Sequence, residues 1–162
     1  MHNPLVSIII VNWNGRRFLE ACLGSLSKIK YKNTEIIFVD NASKDDSVSY
    51  VKKHYPKIKL IINTKNLGFA EGHDKAFKKS KGELVLILST DTTVEENLLE
   101  ELIKGIYSEE NIGAVMPKLL MYPKTNLIDS IGSFFLDSGS LYHFGREKNR
   151  EILIYHKPMK IY

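Results

Sequence analysis

Two uninterrupted apolar runs, each ending in acidic and small polar residues, constrain the fold of this chain more than any other feature. Residues 36–39 run into Asp40, and residues 84–88 run into a polar stretch that contains Asp91. Apolar runs of this length, bounded by polar turn residues, are typical of strands buried on both faces of a parallel sheet. Because ligands bind at the carboxyl edge of such sheets, Asp40 and Asp91 are predicted to lie at a ligand-binding edge.

Helical and extended patterns alternate along the first 116 residues. Strands are predicted at residues 6–11, 35–39, 59–62, 84–88 and 112–116, and helices at residues 16–28, 45–54, 70–80 and 94–107. Strands separated by helices of this length form βαβ units with right-handed crossovers. The predicted fold class is therefore α/β, a three-layer α/β/α sandwich with a mainly parallel sheet.

The pattern changes after Pro117. The following residues carry Gly132, Gly139 and Gly145 between short alternating pieces, which is typical of hairpins and loops. We therefore expect an α/β core over residues 1–118 and a hairpin and loop extension over residues 119–162.

Composition limits the kinds of binding partner and the cellular compartment that we expect for this chain. The chain has 23 Lys and Arg against 19 Asp and Glu, a formal net charge of +4, and its basic residues are scattered, so nucleic acid is not indicated as a partner. The single cysteine, Cys22, lies in an amphipathic stretch and is predicted to be a buried helix residue, which excludes a disulfide framework. No signal peptide or membrane span is predicted. We expect a cytoplasmic protein, soluble or peripheral to a membrane.

Four polar segments follow predicted strands and carry the candidate binding residues. Asn12, Asn14 and Gly15 can place donors around a nucleobase or ribose, although a plain turn explains them as well. Asp40, followed by Asn41, can accept a hydrogen bond from a pyrimidine imide or a ribose hydroxyl, the alternative being a helix cap.

The third segment opens a predicted helix. Asn66, Gly68 and Gly72 place free backbone amides where the helix dipole favours a phosphate, and His73 could contact that phosphate or be a structural histidine. Asp91 suits a divalent cation that holds a diphosphate, the alternative being the N-cap of a helix near residue 94.

Other chemistries are excluded by the motifs. One cysteine and scattered histidines do not make a zinc ligand set. The glycine spacing matches neither the dinucleotide fingerprint nor the Walker loop, which argues against hydride transfer and P-loop ATP hydrolysis.

Four ordered segments carry a family resemblance: residues 6–15 (VSIIIVNWNG), 39–43 (VDNAS), 66–70 (NLGFA) and 88–92 (LSTDT). The series resembles glycosyltransferase family 2, especially its rhamnosyltransferase-like members. The likeness continues through residues 113–119, 132–134 and 143–145, so it covers nearly the whole chain.

The resemblance implies a GT-A fold, the Rossmann-like fold of nucleotide-diphospho-sugar transferases. It implies inverting transfer of a sugar from a UDP-, dTDP- or GDP-sugar to a glycan, lipid-linked or protein acceptor, with Mg or Mn as cofactor. Carried over by position, Asp91 is the metal-binding acid of the DXD-like motif. The nucleotide-binding residues it implies are Val11, Asn12, Asn14, Asp40, Asn41, Asn66, Gly68, Gly72 and His73.

The sequence departs from the family pattern at three places. Ser89 stands where the first acid of the DXD-like motif is expected, and Glu71 and Asp74 add acids beside the expected diphosphate. The Glu-Asp pair that supplies the family's catalytic base does not occur after Asp91 and is expected beyond Tyr162, so the catalytic residue is unknown. We interpret the chain as the amino-terminal, donor-binding portion of a transferase, either a piece of a longer chain or a natural short form.

Two other functions remain open from the sequence: a non-catalytic nucleotide-sugar-binding or regulatory module of the same fold, and a nucleotidyltransferase. A sheet that lacks its second half would expose apolar surface at the edge strand and in the hairpins. We therefore expect a homo-oligomer that buries some of this surface, including residues such as Phe134, Phe135, Leu141 and Tyr142.

Overall fold

A computed structural model describes residues 3–156 of the chain. The contacts divide the chain into two compact units, residues 1–100 and residues 101–162. The first unit holds four strands, β1 (Val6–Asn12), β2 (Thr34–Asp40), β3 (Lys59–Ile62) and β4 (Leu84–Ser89). Its helices are α1 (Arg16–Leu26), α2 (Ser47–His54) and α3 (Gly68–Phe77), and α4 (Leu98–Ile106) begins at its end.

The four strands form one parallel sheet in the order β3-β2-β1-β4. The chain moves from β1 through β2 to β3 in one direction and then returns past β1 to β4. Because such crossovers are right-handed, α1 and α2 cover one face of the sheet and α3 covers the other. The predicted α/β class, with helices on both faces of a mainly parallel sheet, is confirmed.

The core lies on both faces of the sheet. On the α3 face, Ile9, Ile37 and Val39 pack with Ala76 of the helix. Strand residues that alternate with these point to the opposite face, where α1 has its apolar residues at helical spacing. The fully buried residues of that face include Ile8, Ile10, Phe38, Leu19, Cys22 and Leu23. The prediction that Cys22 is a buried helix residue is confirmed.

Two predicted elements differ from the structure. The last helix of the first unit begins at Leu98, because the backbone before it is held by other groups: Val94 N donates to Ser25 Oγ at 3.1 Å, and Lys30 N donates to Glu96 O at 2.9 Å. The strand predicted at residues 112–116 is wrong, since no strand forms there and Met116 is 45% exposed.

Beyond the last residues of α4, the described part of the second unit consists of short hairpins and loops. Strands β5 (Leu119–Leu120) and β6 (Ile128–Ser130) pair antiparallel, as do β7 (Ser133–Phe135) and β8 (Leu141–His143). A single 3-10 turn covers Leu153–His156. The first compact unit ends at Glu100, before the hairpins begin. The domain boundary expected at residue 118 therefore stays a prediction.

Several apolar side chains of the β7 and β8 hairpin are exposed: Phe135 by 82%, Leu141 by 50% and Tyr142 by 49%. The association that we expect at this surface stays a prediction. None of the helices within residues 3–156 has the length and apolar character that crossing a membrane requires.

Candidate functional site

The first polar cluster lies where β1 and β2 end side by side. The parallel register pairs Asn12 with Asp40, the last residues of the two strands. Asn12 Nδ2 donates to Asp40 Oδ1 at 3.0 Å and to Ser43 Oγ at 3.1 Å. Asn12 and Asp40, which belong to separate sequence segments, are therefore brought into direct contact at the carboxyl edge of the sheet.

The loops after β1 and β2 are tied to this pair. Ser43 N donates to Asp40 Oδ2 at 2.8 Å, and Asn14 N donates to Ser43 Oγ at 2.9 Å. Asn14 Oδ1 in turn accepts from Lys44 N at 2.8 Å. Asp40 is only 1% exposed, and both of its oxygens accept bonds from the protein. In this conformation its carboxylate fixes the shape of the two loops.

Gly15 is required by its distance to Asn12. A Cβ at Gly15 would lie 2.3 Å from Asn12 Oδ1 and 3.3 Å from Thr90 Oγ1, so any larger residue would displace the Asn12 amide. Within the described part of the chain, Asn12 Oδ1 is buried and has no hydrogen-bond partner. The glycine therefore leaves room for an amide that already binds Asp40.

A second polar cluster lies between β2, β3 and α3. Asn41 Nδ2 donates to Gly68 O at 2.9 Å, and Asn63 Nδ2 donates to Asn41 Oδ1 at 2.8 Å. Lys75 Nζ completes the series by donating to Asn63 Oδ1 at 3.0 Å. This relay, from Lys75 through Asn63 and Asn41 to Gly68, fixes the orientation of both amides and the start of α3.

Sequence reasoning missed two members of the relay. Asn63 follows β3, and the pairing of Asp40 with Ile62 places it next to Asn41. Its position directly after a strand was the signal available in the sequence. Lys75 gave no such signal, because an exposed lysine on a helix is ordinary.

The start of α3 packs tightly against the sheet edge. Gly68 has φ +74°, a backbone conformation that favours glycine, and its N–H donates to Asn66 Oδ1 at 2.8 Å. A Cβ at Gly72 would lie 2.9 Å from Val11 Cγ1 and 3.3 Å from Asn41 Nδ2. The structure thus brings Val11, Asn66, Gly68 and Gly72 together around Asn41.

His73 is almost completely buried on α3. Its Nδ1 lies 2.7 Å from Phe69 O, and its ring lies 4.0 Å from the Phe69 ring. Nε2 is buried without a hydrogen-bond partner among the described residues. Of the two acids that flank this segment, Glu71 is exposed and Asp74 forms an ion pair with Lys78 at 2.6 Å.

Asp91 lies just beyond β4 and is exposed. The alternative that it caps a helix is wrong, since α4 begins only at Leu98. Cys22, in the middle of α1, has its Sγ 3.8 Å from Ser89 O at the end of β4. Burial and, to a smaller extent, the negative charge of Asp91 raise the pKa of the Cys22 thiol to about 11. No group of three His, Cys, Asp or Glu side chains suited to a metal occurs among residues 3–156.

An aromatic side chain that sequence reasoning did not single out lies at the same edge. Trp13, the only tryptophan in the chain, follows β1 and is 59% exposed although its neighbour Asn12 is buried. Phe69, at the start of α3, is 66% exposed. Exposed aromatic rings beside polar groups are suited to stacking on a planar ligand. The signal in the sequence was an aromatic residue directly after a buried strand.

Comparison with known proteins gives a consistent picture. A model of the family described as Glycosyl transferase family 2 matches residues 7–162. The chain is 31% identical over 122 residues to an N-acetylglucosaminyltransferase of Sinorhizobium fredii, which covers 72% of this chain and 29% of that protein. The chain spans less than a third of the length of the first two curated relatives that it matches.

Solved structures share the fold. The mannosyltransferase PcManGT from Pyrobaculum calidifontis, in complex with GDP-Man and Mn2+, superposes with a TM-score of 0.67 at 24% identity, over 91% of this chain and 46% of that one. Staphylococcus aureus TarS 1-349 in complex with UDP-GlcNAc gives a TM-score of 0.57 at 20% identity, over 74% of this chain and 41% of that one. These likenesses show the GT-A glycosyltransferase fold.

Proposed function

The chain belongs to glycosyltransferase family 2, and we propose that its first unit binds the nucleotide-diphosphate sugar donor of an inverting sugar transfer. The observation that carries this proposal is the contact between Asn12 and Asp40, which joins the ends of β1 and β2 into one polar edge. Open α/β sheets bind ligands at this edge. The family supplies the identity of the ligand.

The nucleoside part of the donor is proposed to bind between the loop after β1 and the loop after β2. Trp13 offers its exposed ring to the base, since stacking on an aromatic face is available to every nucleobase. Val11 precedes Asn12 on β1, Asn14 lies in the loop after β1 and Asn41 in the loop after β2. The buried Asn12 and Asp40 hold these loops in place through Ser43. The base itself, uracil, thymine or guanine, stays open.

The diphosphate is proposed to lie along the start of α3, at Asn66, Gly68, Gly72 and His73. Two supports are the left-handed backbone of Gly68 and the favourable dipole of a helix N-terminus, although the Gly68 amide itself donates to Asn66 Oδ1. His73 Nε2, which lacks a partner among the described residues, is a group that a phosphate oxygen could satisfy after a local shift. Glu71 and Asp74 oppose an anion here, although Lys78 compensates the charge of Asp74.

A divalent cation, Mg or Mn, is proposed to bind through Asp91. Magnesium in such enzymes is held by one or two carboxylates together with substrate phosphates, so a single exposed carboxylate two residues after Ser89 fits this mode. When bound, the cation neutralises the charge that develops on the diphosphate leaving group. The complex of PcManGT with GDP-Man and Mn2+ supports the same cofactor class.

The catalytic base, the acceptor, the location and the self-association are properties of the whole protein. We propose that the catalytic base is a carboxylate beyond Tyr162, where the family resemblance expects it. A glycan, lipid-linked or protein acceptor, a cytoplasmic or membrane-peripheral location and self-association complete the proposal. The N-acetylglucosaminyltransferase and mannosyltransferase relatives support the transfer of a hexose-type sugar.

A non-catalytic nucleotide-sugar-binding module is the second candidate, and Ser89 in place of the first DXD acid is the observation that favours it. The two functions differ in one measurement. In the whole protein, which includes the base proposed beyond Tyr162, a transferase hydrolyses its bound donor slowly even without an acceptor, whereas a binding module leaves the donor intact. Release of nucleoside diphosphate from the donor over hours distinguishes them. The nucleotidyltransferase alternative receives no support from the family.

Trp13 provides the direct test of donor binding, because it is the only tryptophan and lies at the proposed site. Its fluorescence is followed while UDP, dTDP and GDP are added in the presence of Mn2+. We expect saturable quenching by one of the three, with free N-acetyltryptophanamide as the control for absorption by the nucleotide. Quenching no greater than in that control, for all three nucleotides, would contradict the proposal.

A further inference from the structure

A second concave site lies on the first unit, between the beginning of α1 and the outer face of α2. The pocket has a volume of about 220 Å3 and is lined by Arg16, Asp46, Ser49, Tyr50, Lys53 and His54. None of these residues belongs to the proposed donor site.

The guanidinium of Arg16 is held in place before any ligand arrives. Its central carbon lies 3.6 Å from the centre of the Tyr50 ring, and the Tyr50 ring is itself packed against His54, with 4.6 Å between ring centroids. Arg16 N donates to Asp45 Oδ2 at 2.9 Å, which anchors the first residue of α1. An arginine stacked on an aromatic face keeps its N–H fork free and loses less conformational entropy on binding.

The positive charges of the pocket are not neutralised by ion pairs. Among the described residues, no carboxylate comes within ion-pair distance of the side chain of Arg16 or Lys53. Asp46 is the one acid of the lining, and it makes no capping bond to α2. Two cations and one carboxylate leave a net positive charge in the lining.

We propose that this pocket binds a phosphate group. The fork of Arg16 matches two phosphate oxygens in a bidentate geometry, and Lys53 supplies a second cation across the pocket. A phosphate has two possible sources with the same chemistry, a soluble phosphate ester and the headgroup of an anionic lipid. Lys52, in the last turn of α2, gives either source further positive charge.

Two matched variants test the pocket. Lys53→Gln removes one cation from it, whereas Lys79→Gln removes one exposed cation near the end of α3, outside the pocket. Inorganic phosphate is titrated into the nitrogen-15 labelled chain without divalent cation, and the Arg16 side-chain N–H and the Ser49 and Lys53 amides are followed by NMR. We expect saturable shifts, an affinity about fivefold weaker in K53Q and no change in K79Q.

A second experiment, with lipid vesicles, distinguishes the two possible sources of the phosphate group. Sedimentation with phosphatidylcholine vesicles is compared with and without phosphatidylglycerol, for the wild type and both variants. Binding to phosphatidylglycerol vesicles that K53Q weakens and K79Q does not identifies a lipid headgroup, and a saturable phosphate shift without sedimentation identifies a soluble ester. Both outcomes support the pocket. Equal losses in K53Q and K79Q, or no saturable binding in either arm, would overturn it.

The Asp91→Asn variant distinguishes binding in this pocket from binding at the proposed donor site. This variant is expected to leave the phosphate affinity unchanged while it impairs nucleotide binding. If phosphate binding and nucleotide binding fell together in D91N, the phosphate would belong to the donor site and the inference would be wrong. If nucleotide binding failed in every variant while phosphate still bound at Lys53, only the proposed function would fail.

Discussion

Asn12 and Asp40 are joined by one hydrogen bond, from Nδ2 to Oδ1 at 3.0 Å, at the point where β1 and β2 end in register. Both side chains are buried. Because Ser43 binds both of them, the bond controls the shape of the two loops that leave the sheet on this side. The candidate donor site is thus built on a buried polar contact between adjacent strands.

The Asp40→Asn variant tests that contact. The two carboxylate oxygens of Asp40 accept from Asn12 Nδ2 and from Ser43 N. An amide has only one oxygen, so in the same arrangement its NH2 group would face one of these two donors. We expect the free energy of unfolding to fall by about 1–3 kcal/mol, measured by urea denaturation. Asp46→Asn, which changes an exposed acid without a capping bond, is expected to stay within about 0.5 kcal/mol of the wild type. Equal stability of both variants would show that the contact contributes nothing.

Gly15→Ala and Gly24→Ala form a second matched pair. At Gly15 the new Cβ would lie 2.3 Å from Asn12 Oδ1, so the amide must move and we expect a loss of about 1–3 kcal/mol in the free energy of unfolding. Gly24 lies inside α1 with nothing within 4 Å of the new Cβ. Alanine there should stabilise the helix by about 0.5–1 kcal/mol. Thermal denaturation of the two variants should therefore shift in opposite directions.

The sequence was sufficient to predict the sheet of the first unit. Residues 36–39 and 84–88 could be assigned to strands because short apolar runs bounded by turn residues are typical of strands buried on two faces. Residues 37–39 of β2 are buried in this way, but β4 is an outer strand of the described sheet and its Ile87 is 56% exposed, so the expected burial on both faces is wrong for β4. The apolar character of residues 112–116 gave a wrong strand. A strand needs a neighbouring strand to pair with, and the pattern of apolar residues does not show whether one is available. Among the described residues, the half-exposed Met116 pairs with no strand.

The candidate site was predictable only in part. Asn12 and Asp40 could be placed at one edge because each follows a strand, but their direct contact depends on a register that the sequence does not encode locally. The same holds for Asn63, which reaches Asn41 only because Asp40 pairs with Ile62. Lys75 was beyond prediction, since its partner lies on another element of the fold.

Glu35 gives the chain a specific pH dependence. Burial alone would raise the pKa of this carboxyl, but hydrogen bonds from Lys59, Ser7 and Lys81 and the charge of Lys59 outweigh it and lower the pKa from 4.5 to about 2. A carboxyl with a depressed pKa stabilises the fold above its unfolded pKa, and this stabilisation is lost as the pH falls through the folded pKa.

We therefore expect Glu35 to contribute up to about 3 kcal/mol at neutral pH, lost progressively between pH 4.5 and about 2. In Glu35→Gln the free energy of unfolding should be lower at pH 7 and should depend less on pH in that window. Glu96→Gln is the control, because its partner Lys30 is 3.6 Å away and both side chains are exposed. An unchanged slope in E35Q would contradict the assignment.

Lys75→Met tests the relay from α3 to Asn41. Without its ammonium, the buried Asn63 Oδ1 loses its donor, so the Asn63 amide that binds Asn41 Oδ1 is held less firmly. We expect nucleotide affinity, followed by Trp13 fluorescence, to fall by about three- to tenfold, as for the loss of one hydrogen bond. Lys79→Met removes an equal charge near the end of the same helix. If both variants bound the nucleotide equally, Lys75 would have no positioning role.

The central claim is that Asp91 couples a divalent cation to a nucleotide diphosphate at the carboxyl edge of the sheet. Isothermal titration calorimetry of the nucleotide that quenches Trp13, with and without Mn2+, tests it most directly, using Asp91→Asn and the exposed hairpin variant Asp137→Asn. The account predicts that Mn2+ strengthens binding in the wild type and in D137N, and that D91N abolishes this enhancement. An equal Mn2+ enhancement in D91N, or none in the wild type, would contradict it.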